Sequence, residues 1–255
     1  LSTRNIRLTL AYDGSEFCGW QVQANGRTVQ GVIEEALARM HGHPVRIQGA
    51  GRTDTGVHAT GQVANFHSDL DSIEAGRWCL ALNSYLPHDV RALESREADP
   101  GFNAKDSARL RAYTYYLYPA RIGPPHIRRY CWKIDRRPDL AALNRLAAVF
   151  LGEHDFTTFA AAGDPGKGRA RRVVSACFHP EGRFLVFRIA ANSFVWKMVR
   201  SILGTMLEYE KEGRSPAELG SALAARDRSR AGTSAPARGL FLERVVYDDE
   251  PGYPA

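Results

Sequence analysis

Arg52, Asp54 and His58 stand close together in the stretch GAGRTDTGVHATGQ, Gly49 to Gln62. A carboxylate can serve as nucleophile or base, and an arginine two residues away can bias its charge or hold an anion. Asp54 is the only carboxylate of the stretch, which also carries four glycines. On either side, Val45–Gln48 and Val63–Phe66 alternate apolar and polar residues, so strands are expected to hold this loop rigidly. The same composition also suits an Asx-turn, in which Asp54 caps a backbone N–H and the glycines supply positive φ. Loop composition does not choose between a turn and an active site. For His58, satisfying the loop is the favoured reading over donation to a phosphate.

The elements that must position these residues alternate along the first hundred positions. Ile6, Leu8, Leu10 and Tyr12 alternate with polar residues and end at Asp13-Gly14, a strand followed by a turn. Thr28 is the expected N-cap of a helix burying Val29, Val32, Ile33, Ala36, Leu37 and Met40. A second helix is expected from Ile73 to Leu86, stopped by Pro87, and then a strand from Val90 to Ala98. This pattern fits an antiparallel sheet with helices on one face, an α+β arrangement of the ferredoxin-like kind. Asp99-Pro100-Gly101 is the expected boundary between domains 1–100 and 101–255.

Beyond it, Arg111–Tyr118 (RAYTYYLY) reads as an aromatic strand and Leu140–Leu151 as a helix. Ala160–Arg172 is expected to be a long loop, followed by strands Val173–His179 and Phe184–Ala190. The longest helix is expected from Ser193 to Glu212, then one from Ser215 with Pro216 at its first position, and a last strand near Glu243–Tyr247. At 100° per residue, Phe194, Val195, Met198, Val199, Ile202, Leu203, Met206 and Leu207 share a stripe, and Arg200 falls at its edge. Such an arginine snorkels to solvent or meets a carboxylate. Paired with Asp54, it would hold that carboxylate ionised and aimed.

The chain has 255 residues and a formal net charge of +6. This length accommodates one large domain or two smaller ones with proper cores. The positive charge, mostly arginine, tilts towards a polyanionic partner. Three clusters carry it: Arg169, Arg171 and Arg172 by a glycine-rich loop, Arg128 and Arg129 after a Pro-Pro turn, and Arg226, Arg228 and Arg230 closing a helix. No apolar run reaches the roughly 18–20 residues that span a bilayer. LSTRNIRL lacks the apolar core of a signal peptide, and without an initiating Met it reads as trimmed. Cys18, Cys79, Cys131 and Cys177 are scattered without zinc spacing, which fits a reducing cytoplasm and a metal-free protein.

The motif GRTDTGVHA (Gly51–Ala59) resembles the signature of the tRNA pseudouridine synthase A family. YDGSEFCGWQVQ (Tyr12–Gln23), TVQGVIEEAL, RAYTYYLY, FVWKMVRSILG (Phe194–Gly204) and GLFLERV (Gly239–Val245) resemble its other motifs in family order, covering most of the chain. Departures are few: Thr55 stands where members vary, and Ala160–Arg172 is a variable loop. The resemblance implies two ferredoxin-like α/β halves with mainly antiparallel mixed sheets around a central cleft. It implies isomerisation of uridine at positions 38, 39 and 40 of the tRNA anticodon stem-loop, with no cofactor and no metal. Asp54 would be the nucleophile, towards the uracil ring or C1′, and Arg200 its salt-bridge partner. Tyr113 would stack on the target base, Leu240 would line the pocket, and Arg52 would hold the flipped nucleotide's backbone. Tyr115, Tyr116 and Tyr118 are expected as core or cross-strand residues, outside the site. The resemblance also implies a homodimer holding tRNA across both subunits. A non-catalytic RNA-binding protein on the same fold is the alternative. A glycoside hydrolase is a poorer match, because it usually needs two carboxylates.

Overall fold

The computed structural model describes residues 3–164 and 168–249. In chain order the elements are β1 (Arg4–Tyr12), α1 (Val29–His41), β2 (Ile47–Gly49), β3 (His58–Ser68), α2 (Trp78–Asn83) and β4 (Val90–Glu97). There follow β5 (Leu110–Pro119), β6 (Trp132–Ile134), α3 (Leu140–Ala147), β7 (Gly152–Asp155), β8 (Ala170–Glu181) and β9 (Phe184–Ala191). The last three are α4 (Met198–Glu212), α5 (Pro216–Ala224) and β10 (Leu240–Val246). The described chain divides into two compact units, one running to Arg109 and resuming at Phe241, the other Leu110–Leu240. Asp99-Pro100-Gly101 is a turn inside the first unit. No described helix is long and apolar enough to cross a membrane.

The first unit has the strand order β4-β1-β3, with β2 also on β3. These pairs are antiparallel, the plan of a ferredoxin-like sheet. β10 joins β3 in parallel, Phe241 opposite His58 and Leu242 opposite Ala59. Ile6, Leu8 and Leu10 of β1 are fully buried, as are Ile33 and Leu37 of α1 and Trp78 of α2. Thr28 caps α1 by accepting from the Gly31 N–H, and Gly42, at φ 75°, ends it by donating to Ala38 O. Val32 and Met40, expected in the core, are only half-buried. The second helix is much shorter than Ile73–Leu86. A 3-10 turn, Ala75–Arg77, precedes it, and at its C-terminus the Asn83 amide exchanges hydrogen bonds with the backbone of Ala92.

In the second unit β5, β9, β8 and β7 pair antiparallel in that order, and β6 adds to β5 in parallel. The succession β5-α3-β8-β9-α4 follows the first five elements of the ferredoxin-like plan. The core holds Tyr115, Leu117, Phe150, Phe156, Phe159, Phe187, Ile202, Leu203 and Met206. α3 stops at Ala147 and gives way to a 3-10 turn that delivers Phe150 against Phe156 and Phe159. α4, the longest described helix, begins at Met198 rather than Ser193. Lys197 has φ 61°, a left-handed conformation that no α-helix can include, so Phe194 and Val195 lie ahead of the helix. α5 starts with a capping box between Ser215 and Glu218 and with Pro216 in its first turn.

Two arginine clusters sit differently from expectation. Arg171 and Arg172 are strand residues of β8, opposite His154 and Glu153. Of the expected Ala160–Arg172 loop, residues 165–167 lie outside the described residues. Arg226, Arg228 and Arg230 follow α5 instead of closing it. Arg226 pairs with Asp155 at 3.1 Å, and Arg228 donates to the carbonyls of Ala231 and Gly232.

Candidate active site

Asp54 lies on the loop between β2 and β3, half-buried, with Arg52 exposed beside it and Thr53 buried between them. Val57 N–H donates to Asp54 O at 3.1 Å, and Gly56 has φ 76°. That is the geometry of a type II turn, whose third residue needs positive φ, so Gly56 is there to close the turn. The turn is held from several sides. Trp20 N–H donates to Thr53 O at 3.0 Å, and Ala50 N–H to Val63 O at 2.8 Å. Tyr12 and Thr53 share a hydroxyl–hydroxyl hydrogen bond of 2.8 Å. The fully buried Gln62 donates from Nε2 to Gly51 O at 2.7 Å. The carbonyls of Gly51 and Thr53 and the Thr53 hydroxyl, ahead of Asp54, are thereby satisfied, and the carboxylate sits on a preorganised backbone.

The first motif, Tyr12–Gln23, is the bed of this loop. A Cβ on Gly14 would stand 2.0 Å from Val57 O, and one on Gly19 would stand 2.7 Å from Thr53 O. Neither contact is possible for a side chain, so these two glycines permit the close approach. His58 is 1% exposed; its Nδ1 accepts the Gly14 N–H at 3.0 Å, and its ring stacks on Phe241 at 4.6 Å. Asp13 Oδ1 lies 3.2 Å from the same nitrogen and also accepts from Ser15 N–H. His58 therefore braces the loop against the first motif, the role favoured for it on sequence.

The second unit carries Tyr113, Arg200 and Leu240. Tyr113 lies on β5 opposite Ile189 of β9 and is 8% exposed, with the Phe194 ring edge-on at 5.1 Å. Arg200, in the first turn of α4, is half-buried and donates from Nε to Ala235 O at 2.7 Å. Ala235 N–H returns a bond to Arg200 O at 2.9 Å. The segment around Thr233 can lie so close because residue 204 is glycine: a Cβ there would be 1.8 Å from Thr233 O. Leu240 is 5% exposed at the head of β10.

Tyr115 is fully buried and donates to Pro236 O at 2.7 Å. Burial drives its phenol far above the usual range, against the opposing charges of Arg200 and Arg238. It stays a neutral donor that ties β5 to the segment holding Arg200, as its expected place in the core implied. Sequence reasoning missed Tyr12, Gln62, Phe194 and Ala235 as supports. For Phe194 a signal existed, an aromatic two residues before the Trp196-Lys197 pair; the other three act through contacts with no periodicity.

The fold and the loop thus define an α+β enzyme scaffold with one carboxylate on a rigid turn. A protein-family model described as tRNA pseudouridine synthase matches residues 9–103 and 146–248. The tRNA pseudouridine synthase A of Treponema denticola is 43% identical over 252 residues, 97% of this chain and 94% of the relative. That of Moorella thermoacetica is 45% identical over 244 residues, covering 95% and 99%. That of Geobacillus kaustophilus is 42% identical over 249 residues, covering 97% and 96%. The chain belongs to the tRNA pseudouridine synthase family and is a pseudouridine synthase, an isomerase.

Proposed function

We propose that this chain isomerises uridine to pseudouridine in the anticodon stem-loop of tRNA, with Asp54 as nucleophile and no cofactor. The observation that carries this reading is the rigid turn that presents Asp54, the sole carboxylate of its motif. In the reaction the N1–C1′ bond breaks, the uracil turns, and C5 bonds to C1′. C5 loses its proton and N1 gains one, so atoms and electrons balance without an external reagent. What the protein must supply is an ionised carboxylate, a surface that retains the detached base, and shelter from water. Asp54 supplies the first, by attack on the uracil ring or on C1′. Tyr113 supplies the second by stacking, an interaction worth roughly 1–3 kcal/mol per base. Leu240 adds an apolar wall, Arg52 holds the phosphate backbone of the flipped nucleotide, and Arg200 pairs with Asp54. Extruding the uridine costs a few kcal/mol, repaid by these contacts. The working form is a homodimer acting in the cytoplasm, with tRNA held across both subunits.

Asp54→Ala tests the reading. The variant is expected to bind unmodified tRNA as the parent does and to form no pseudouridine, measured by mapping modified positions after incubation. Turnover by the variant would exclude the nucleophile, and release of free uracil by the parent would make the chain a hydrolase.

A further inference from the structure

Trp196 and Lys197 form a surface feature that the isomerisation chemistry leaves unused. Trp196 is 44% exposed, whereas Trp20 and Trp78 are 3% and 0% exposed and Trp132 is half-buried. An indole is a large apolar group, and leaving it in water forfeits its burial. Its backbone is fixed at both ends: Ala161 N–H donates to Trp196 O at 2.9 Å, and Trp196 N–H donates to Asp164 Oδ2 at 3.3 Å. The next residue, Lys197, is held at φ 61° and ψ 11°. Among the described residues only Arg226 shares a positive φ without being glycine. Non-glycine residues avoid that conformation, and where they are held in it the strain often serves a site. The result is an ammonium group 5.0 Å from the centroid of the exposed indole.

The neighbours of the pair belong to the candidate site. Two residues earlier, Phe194 packs edge-on against Tyr113. Three residues after Lys197, Arg200 is clamped to Ala235. An aromatic face beside a cation is the combination that holds an unpaired nucleotide, with the base on the ring and the phosphate on the ammonium. We infer that Trp196 and Lys197 are a second stacking platform, which holds an unpaired nucleotide flanking the target uridine. This rests on the reading of tRNA as the substrate. Tyr113 would hold the base that reacts, and Trp196 a neighbour that fixes its position in the loop.

The experiment is acrylamide quenching of tryptophan fluorescence, with and without unmodified tRNA at a concentration shown by mobility shift to saturate the protein. The quenchable emission should be largely absent from Trp196→Phe, which assigns it to Trp196. In the parent it should become inaccessible on tRNA binding. Trp196→Ala should weaken tRNA binding about tenfold, and Trp196→Phe, which keeps a ring, by less than about threefold. Lys197→Ala should lower the salt slope of binding by about one phosphate contact. Unchanged quenching of Trp196 in the saturated complex would overturn the platform even if Trp196→Ala fails to fold. If the parent forms pseudouridine normally in that case, the substrate reading stands and only the platform falls. A parent that makes no pseudouridine in tRNA removes the substrate from both.

Discussion

At the scale of single residues, the proposed role of Arg200 predicts a separation of binding from chemistry. Its Nε is already committed to Ala235 O, so the guanidinium is oriented before any substrate arrives. Arg200→Leu is expected to bind tRNA with nearly parental affinity and to lose rate on the order of a hundredfold, the size seen when an oriented electrostatic partner is removed. Single-turnover kinetics beside a filter-binding measurement checks it; parental rates would remove Arg200 from the mechanism. Asp54 was legible as the one carboxylate in a glycine-rich motif, but loop composition left a turn and an active site equally open until the family motifs around it were read. Its supports were hidden. That Gly19 faces Thr53 O at a distance no Cβ tolerates follows from two segments meeting in space, which no local pattern encodes. Arg52 was singled out by standing two residues before Asp54, whereas Tyr113 and Leu240 were singled out by family likeness, since a strand tyrosine and a buried leucine are ordinary in themselves.

At the scale of elements, Glu210 joins α4 to the start of α3. It is 6% exposed, pairs with Arg136, and accepts the Asp139 N–H at 2.8 Å. Burial pushes its carboxyl up, but the Arg136 hydrogen bond, the Asp139 N–H and the Arg136 charge together pull it below the usual range. A carboxyl lowered on folding stabilises above its unfolded pKa, and that contribution is lost as pH falls through the folded one. Glu210→Gln should therefore cost about 1–2 kcal/mol at neutral pH, a modest figure because Arg136 is partly exposed. The gap in Tm between parent and variant should close below about pH 4. A gap that persists in acid would assign the loss to packing. Most strands and the caps Thr28 and Ser215 were readable from periodicity and capping chemistry. The starts and ends of helices were less so. An apolar stripe continues through Phe194 and Val195, yet the left-handed Lys197 forbids helix there, and hydrophobic spacing carries no information on the sign of φ.

At the scale of the whole molecule, the net charge of +6 should appear as salt dependence. The affinity for tRNA should fall log-linearly with salt, with a slope of roughly 0.7–0.9 per phosphate contacted. A flat response would leave the arginine clusters without a role in binding; Arg226, already paired with Asp155, is expected to contribute least. The return of β10 to the first unit has a further effect, on the order of events during synthesis. The edge of β3 at His58 and Ala59 gains its partner only when Phe241 and Leu242 have emerged from the ribosome. Phe241 is also the ring on which His58 stacks. The nascent chain therefore carries an open edge of β3 at the end of the candidate-site loop until the second unit, Leu110–Leu240, has been made. A message truncated before the codon for Phe241 would yield a first unit in which Tyr12, Trp20 and Gln62 still hold the turn at Asp54, while His58 lacks the ring on which it stacks.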